Sequence, residues 1–248
     1  MKNPNNKKGF TLVELSIVLV IIGLLIGGIL AAQSMIETTK IQAFTRQIGQ
    51  FDAAVVNFGD KFGGLPGDTS AFSTAGAVTQ NNGIIETGDN ANLEGEAAQF
   101  WNQLTLSGLK REEGAGEYSA AGFPVGTAFP RAKVGAAGTG VIGVGETDGL
   151  DGLAGGPTGN AYFIGNCSGM SANNTLACEP GLTGSQAIAI DAKLDDGVST
   201  TGNVGGNAGT GINTWAKAVD EAPVAYTAGN DATTNIVIRM GVATGVLK

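Results

Sequence analysis

An apolar run near the amino terminus constrains this chain more than any other feature. Residues 15–32 are eighteen consecutive residues whose only polar side chain is Ser16. At about 1.5 Å of rise per residue, a helix of this length crosses most of a hydrocarbon layer about 30 Å thick. The apolar part of a secretory signal peptide is shorter, about 7–15 residues. We therefore predict a helix that remains in the membrane as an anchor.

The charges that flank the run predict its orientation. Lys2, Lys7 and Lys8 precede it, and no acidic residue accompanies them. By the positive-inside rule, the amino terminus stays in the cytoplasm and everything after Ala32 is exported. The sequence therefore predicts a single-pass membrane protein with a large exported part.

The residues that open the run resemble a known processing signal. The sequence K-K-G-F-T-L-V-E-L at residues 7–15, followed by the apolar helix, closely resembles the class III signal of type IV pilins and type II secretion pseudopilins. The resemblance implies that a prepilin peptidase cuts between Gly9 and Phe10 and methylates the new amine of Phe10. Residues 1–9 are then a cytoplasmic leader, and 248 residues less nine leave a mature chain of 239.

Glu14 stands at the family's glutamate position, which the resemblance implicates in docking between subunits. A carboxylate in a membrane helix is costly and usually finds a partner or marks a function. The amine of Phe10 on a neighbouring chain is one such partner. Two local interpretations stay open, since Glu14 also suits its own helix N-terminus and lies one turn from Phe10 of the same chain.

The same resemblance implies a structural filament subunit and no enzymatic activity. It implies storage in the inner membrane, followed by polymerisation with copies of itself or homologous pilins into a periplasmic or cell-surface filament. The expected partners are the peptidase, an inner-membrane assembly platform and its ATPase. The exported part is large for a plain shaft subunit, which favours a minor or specialised pilin. A type II secretion pseudopilin and a tip subunit that binds like an adhesin are the alternatives.

Composition excludes several other classes of function. The chain contains no histidine, so imidazole-based metal sites and catalytic triads are excluded. Removing the leader takes away three lysines and no acid, leaving 11 basic against 22 acidic side chains and a formal net charge of −11. The basic residues are also scattered, so binding to the nucleic-acid backbone is disfavoured. We expect no cofactor.

Helical periodicity continues beyond the membrane run. Apolar residues recur at spacings of three and four, and no proline interrupts them before Pro66; they are Ile41, Phe44, Ile48, Phe51, Val55 and Phe58. We predict one stem helix over residues 10–58, transmembrane over about 10–32 and amphipathic over about 33–58. The amphipathic half is expected to pack on a head formed by residues 59–248.

The head reads as an α+β domain with a small antiparallel sheet and long glycine-rich loops. Strand patterns occur at 162–164 and 235–240, with a further candidate at 224–226. Helical spacing predicts one helix from about Leu93 to Leu104, closed by Gly108, and another over about 185–194. Residues 135–159 and 202–211 are glycine-dense and are predicted to be surface loops.

Parts of the head also resemble other prepilin-like proteins. The L-P-G-D sequence at residues 65–68 is followed by F-W-N-Q-L at 100–104 and G-L at 108–109. The sequence I-D-A-K-L-D-D-G at 190–197 belongs to the same resemblance. These matches support membership of the prepilin-like group and assign no particular filament.

Cys167 and Cys178 are the only cysteines, and both fall in the part predicted to be exported. Disulfides persist in oxidising compartments, so we predict that the two cysteines form one. A disulfide that closes this loop of twelve residues, counting both cysteines, stabilises a fold by about 3 kcal/mol in the chain-entropy model.

An oxygen-rich stretch before the predicted second helix is a candidate calcium site. Its ligands would be Asp89, Asn92 and Glu94, although their spacing is not that of an EF-hand. An Asx-rich turn with Asn92 as N-cap explains the same residues, and capping preferences favour that interpretation. Asp191, Asp195 and Asp196 likewise suit either a cation or a solvated helix end followed by a turn.

Overall fold

The computed structural model describes residues 9–70, 81, 83, 85, 96–109, 125–126, 129–144, 160–170, 176–198, 202–207 and 232–239. Within these ranges the chain forms three helices and six strands. It divides into two compact units, Met1–Lys40 and Ile41–Lys248, which are considered separately below.

The first helix, α1, runs from Leu12 to Phe62. It extends one turn beyond the predicted end at residue 58 and stops where the glycine pair begins. Gly63 adopts a left-handed conformation with φ of 76°, and its N–H donates to the carbonyl of Gly59 at 2.8 Å. A left-handed glycine after the last turn is a common helix terminator, and Pro66 follows three residues later.

The part of α1 in the second unit is buried along one face, as the periodicity predicts. All six predicted apolar positions are buried, from Ile41 to Phe58. The same face also carries two buried polar residues, Gln47 and Asp52, which the apolar pattern did not predict. Each large apolar side chain that is fully buried in this way contributes about 1.5–3 kcal/mol to folding, so this stripe is a major part of the core.

Two shorter helices complete the helical part of the fold. Helix α2 spans Glu96–Leu106, and Gly108 follows it with φ of 75°. Helix α3 spans Gly184–Leu194 and begins with a capping box in which the side chains and backbone N–H groups of Thr183 and Gln186 pair reciprocally. Both helices lie close to where the spacing predicts them.

The strands in the described ranges pair in antiparallel fashion throughout. Their bounds are Thr139–Val144 for β1, Ala161–Met170 for β2, Leu176–Glu179 for β3, Leu182–Thr183 for β4, Val204–Asn207 for β5 and Ala232–Arg239 for β6. β2 pairs with β1, β3 and β6, while β6 also pairs with β4 and β5. The predicted α+β class with a small antiparallel sheet is confirmed.

The prediction of loops in the two glycine-dense regions is wrong for β1 and β5. Residues 139–144 and 204–207 are strands, because backbone pairing with β2 and β6 does not depend on large side chains. Gly140 shows why glycine suits such a strand, since a Cβ added there would lie 2.8 Å from a methyl group of Val125. The strand candidate at 224–226 lies outside the described residues.

An aromatic cluster joins α1, α2 and β2 in the core. The ring of Trp101 lies 4.8 Å from that of Phe51 and 4.7 Å from that of Phe100, in edge-to-face geometry in both cases. Tyr162 of β2 stacks on Trp101 at a centroid distance of 6.3 Å. Such pairs contribute about 0.5–1.5 kcal/mol beyond the area that they bury. The cluster therefore fixes β2 and α2 against the stem helix.

Candidate functional site

The predicted processing site lies just ahead of α1. Gly9, Phe10 and Thr11 are not helical, and the helix begins at Leu12. Phe10 is 83% exposed, and a Cβ added at Gly9 would meet nothing within 4 Å. The bond predicted to be cut is therefore in non-helical, accessible backbone, which is the form in which a protease can bind a peptide.

Thr11 and Glu14 form a capping box at the start of α1. Oε2 of Glu14 accepts from the backbone N–H of Thr11 at 2.9 Å and from its hydroxyl at 2.8 Å. The backbone N–H of Glu14 in turn donates to the Thr11 hydroxyl oxygen at 3.3 Å. This is the reciprocal arrangement of a T-x-x-E sequence at a helix N-terminus. It corresponds to the local interpretation of Glu14, and Thr11 is a participant that the sequence analysis missed.

The apolar surface of α1 in the first unit contacts no partner among the residues that the structure describes. Large apolar side chains between residues 10 and 36 are exposed by fractions that run from 45% at Ile22 to 86% at Leu12. Within the described residues, α1 is a helix long and apolar enough to cross a membrane, and none of its most apolar window is buried. This is consistent with membrane anchoring.

Two serine hydroxyls of this segment form hydrogen bonds within the helix. The Ser16 hydroxyl donates to the carbonyl of Val13 at 2.9 Å, and the Ser34 hydroxyl to that of Ala31 at 3.0 Å. Hydroxyls in helices commonly bond in this way to the preceding turn. These groups consequently need no water, which suits a lipid environment where unsatisfied polar groups are costly.

Three glycines open the surface of the same segment. A Cβ added at Gly23, Gly27 or Gly28 would meet nothing within 4 Å, so no contact with the described part of the chain requires glycine at these positions. Small residues let membrane helices approach closely. Glycine at these three positions therefore leaves room for a close contact with a helix from outside the chain.

Two polar residues of α1 bind the head within the second unit. The Gln47 amide nitrogen donates to the carbonyl of Arg131 at 2.7 Å, while its oxygen accepts from the N–H of Lys133 at 3.0 Å. The hydroxyl of Tyr162 donates to Oδ1 of Asp52 at 3.1 Å, and both side chains are fully buried. Sequence reasoning missed these contacts, because their partners lie more than 80 residues away.

The L-P-G-D loop docks on α2 through its glycine. The N–H of Gly67 donates to Oε1 of Gln103 at 2.8 Å, and a Cβ on Gly67 would lie 2.3 Å from the carbonyl oxygen of Glu96. The buried carboxylate of Asp68 accepts from the N–H of Gly83 at 2.7 Å. The motif therefore serves as a structural joint between the end of α1 and α2.

Three aspartates at the end of α3 lie together: Asp191 in its last turn, and Asp195 and Asp196 directly after it. Their nearest oxygens are all within 4.8 Å of one another, with Asp191 buried and Asp196 exposed. Asp191 accepts from the N–H of Gly197 at 3.0 Å, and Asp196 from that of Val198 at 2.8 Å; Asp195 accepts from the N–H of Asn203. These bonds close the end of α3 and the turn that follows it, as predicted, but Asp191 is buried and not solvated.

Two other predictions concern residues that the structure describes in part or not at all. The calcium candidates Asp89, Asn92 and Glu94 lie outside the described residues, and the site stays a prediction. For Cys167 and Cys178 the backbone alone is described, and the two residues are direct partners in the register between β2 and β3.

The comparison with protein families agrees with the resemblance at the amino terminus. Residues 4–30 match the family model described as the prokaryotic N-terminal methylation motif. The matched segment includes Gly9, Phe10 and Glu14, together with most of the apolar run, and it confirms the predicted signal. Comparisons with curated proteins and with solved structures find no match to this chain.

Proposed function

We propose that this protein is a structural subunit of a type IV pilus or of a related pseudopilus-like filament, and that it has no catalytic role. The observation that carries the proposal is the methylation motif at residues 4–30, placed on a helix whose first part exposes its apolar surface. A methylated amine at the start of an anchoring helix serves assembly, whereas an enzyme would need a convergent polar site elsewhere.

In the proposed sequence of events, the precursor waits in the inner membrane with its leader in the cytoplasm and its head exported. The prepilin peptidase cuts the accessible bond between Gly9 and Phe10 and methylates the new terminus. The assembly platform and its ATPase then move the subunit from lipid into a filament. Apolar contacts with lipid are exchanged for apolar contacts between stems, which leaves the net hydrophobic gain small and makes packing and polar pairing decisive.

Glu14 is proposed to gain a second partner during that exchange. In the unprocessed chain its carboxylate accepts two hydrogen bonds from Thr11. A carboxylate has about four acceptor positions, so an amine of a neighbouring Phe10 can bind without first displacing Thr11. In this proposal the capping box holds the carboxylate in place, and the new amine supplies the missing positive charge.

Size favours a minor or specialised pilin within this class. Residues 59–248 make a head that is large for a shaft subunit of the family that the signal resembles. Immunogold labelling of filaments distinguishes the alternatives, because a tip subunit is found at filament ends and a shaft subunit along the length. A type II secretion pseudopilin would instead be required for export of a secreted protein.

Processing is tested by intact mass and N-terminal sequencing of the protein from cells that contain the peptidase. We expect a chain that starts at Phe10 and carries one additional methyl group. A chain that still begins at Met1 while the peptidase is active on another substrate would refute the proposal.

The role of Glu14 is tested by two variants that separate charge from capping. Glu14→Gln keeps an acceptor for Thr11, as glutamine also forms capping boxes, but removes the charge. Thr11→Val keeps the charge and removes the hydroxyl of the cap. We expect Glu14→Gln to be processed normally and to enter filaments poorly, while Thr11→Val enters better than Glu14→Gln. The docking role is rejected if Glu14→Gln is incorporated at the normal level.

A further inference from the structure

The backbone places Cys167 and Cys178 opposite each other in the sheet. They are Cα partners in the antiparallel pairing of β2 with β3. Directly opposite residues in such a pair have Cα atoms about 4.5 or 5.5 Å apart, and both distances lie within the range of about 4.4–6.8 Å that disulfides span. The sequence predicts the disulfide only from the exported compartment and from the presence of two cysteines. The register between β2 and β3 adds the geometry.

An irregularity in β2 is what brings the two cysteines into register. At the end of β2, Met170 pairs with Leu176 and Gly169 with Ala177, so a regular ladder would place Ser168 opposite Cys178. The register shifts between Cys167 and Gly169, and Cys178 therefore pairs with Cys167. Bulges of this kind insert one extra residue and re-aim the strand.

The two halves of β2 are held by different neighbours. Residues 161–164 pair with β1 on one side and with β6 on the other, and Tyr162 binds Asp52 of α1. In the described part of the chain, residues 167–170 pair with β3 and with no other strand. The outer half of β2 therefore depends on β3 for its order, while the inner half is fixed by the core.

We propose that Cys167 and Cys178 form a cross-strand disulfide that acts as a local lock on the β2–β3 hairpin. Formation requires export of the head and does not require filament assembly. Stability in proteins is distributed in cooperative units that can open separately. The lock is accordingly expected to protect residues 166–179, with little effect on the stem-packed core.

The bond forms by exchange with a disulfide oxidant of the exported compartment. One cysteine thiolate attacks the oxidant disulfide, and one oxidant sulfur leaves as a thiolate. The second cysteine thiolate then displaces the other oxidant sulfur from the mixed disulfide. Two electrons pass to the oxidant, which takes up the two protons and ends as a dithiol.

Formation is tested by thiol alkylation and mass measurement on the full chain, extracted from cells without reductant. We expect no alkyl group after labelling under denaturing conditions and two groups once the protein has been reduced. Migration as a monomer on a non-reducing gel is expected as well. Two labels before reduction, or a dimer that reductant dissolves, would overturn the proposal.

The local nature of the lock is tested by hydrogen exchange on the oxidised and the reduced full chain. We expect reduction to speed exchange in residues 166–179 by on the order of 100-fold, which is the loop-closure effect for this length expressed as a ratio. Exchange in α1 between Phe44 and Phe58 should change less than threefold. Equal exchange in both forms, or loss of protection throughout the core, would overturn the lock.

A paired substitution guards against effects of the reductant. The variant Cys167→Ser with Cys178→Ser should reproduce the exchange of the reduced protein whether or not reductant is present. If that variant fails to fold, the comparison of oxidised and reduced wild-type chains still decides the question.

Discussion

Replacing Tyr162 by phenylalanine tests whether the buried pair between β2 and α1 stabilises the fold. The change removes one hydroxyl and keeps the ring that stacks on Trp101. It also removes a hydrogen bond of 3.1 Å to the carboxylate of Asp52, in a site where both side chains are fully buried.

The expected cost is set by the charge of the acceptor and by its burial. Hydrogen bonds to charged groups contribute about 1.5–3 kcal/mol, compared with about 1 kcal/mol for neutral pairs. Asp52 makes further interactions, so it is not left unpaired by the change. We expect Tyr162→Phe to lower the free energy of unfolding by about 1.5–3 kcal/mol at pH 8, equivalent to a melting temperature lower by about 3–12 °C for a domain of this size.

The pH dependence gives a second and more specific readout. Burial, and secondly the negative charge of Asp52, raise the pKa of Tyr162 well above its usual value. In the unfolded chain the phenol ionises near pH 10, while the folded chain keeps its proton. The stability contribution is therefore fully present below about pH 10 and declines as the pH rises towards the folded pKa. Between pH 8 and pH 11 the advantage of wild type over Tyr162→Phe should shrink by about 1.4 kcal/mol.

The assay is denaturant unfolding of the full chain in detergent, followed by tryptophan fluorescence at pH 8 and pH 11. Asp52→Asn and the double variant complete a double-mutant cycle, and residues in direct contact are expected to couple by about 0.5–3 kcal/mol. A loss smaller than about 0.5 kcal/mol at pH 8, or a difference that is unchanged at pH 11, would refute the reasoning.

Two further substitutions have matched controls within the chain, and denaturant unfolding checks both. Gln47→Ala removes the partner of two backbone groups and should cost about 1–3 kcal/mol, whereas the exposed Gln50→Ala on the same helix should cost little; equal costs would contradict the role of Gln47. Gly63 and Gly67 both have positive φ, so alanine at either position should cost about 1–2 kcal/mol of backbone strain. Gly67→Ala should cost more than Gly63→Ala, because only at Gly67 would the added Cβ collide with the backbone of Glu96. Similar losses for the two glycines would show that the loop moves away from α2.

The stem helix α1 and the two shorter helices could be predicted from the sequence because the patterns that define them are local. Spacings of three and four identified the buried face of α1 and placed α2 and α3, and the T-x-x-Q spacing at residues 183–186 is the pattern of the capping box that begins α3. The same capping logic applied to residues 11–14 would have found the role of Thr11. The contact of Glu14 with a neighbouring chain is a separate prediction, which the resemblance to the pilin signal implies and which the capping box does not replace.

The sheet and the polar contacts of the stem were less accessible, because they depend on distant partners. β1 and β5 are glycine-dense and lack the alternation of large apolar residues that marks a half-buried strand. They become strands because β2 and β6 offer backbone partners. Gln47 and Asp52 appear in the sequence as polar interruptions of an apolar face, and periodicity alone does not say whether such residues mark the end of a face or its most specific contacts.

The two parts of α1 differ in what their polar groups are bound to, and this difference bears on assembly. Between Ile41 and Phe58, Gln47 and Asp52 are bonded to distant parts of the head, so this part of the helix is committed to one partner. Between Leu12 and Ile36, the described hydroxyls bond to the helix itself, so leaving lipid for other stems breaks none of those bonds.

Apolar packing alone specifies the register of identical helices poorly. In the proposed filament, Glu14 is the charged group of this part of the helix, and its charge is therefore where a preferred register between neighbouring stems would be set. For that reason Glu14→Gln, which keeps the cap and loses the charge, should reduce ordered incorporation more than it reduces membrane insertion, as measured by carbonate extraction beside filament yield. Equal effects on both would mean that the carboxylate serves anchoring and not register.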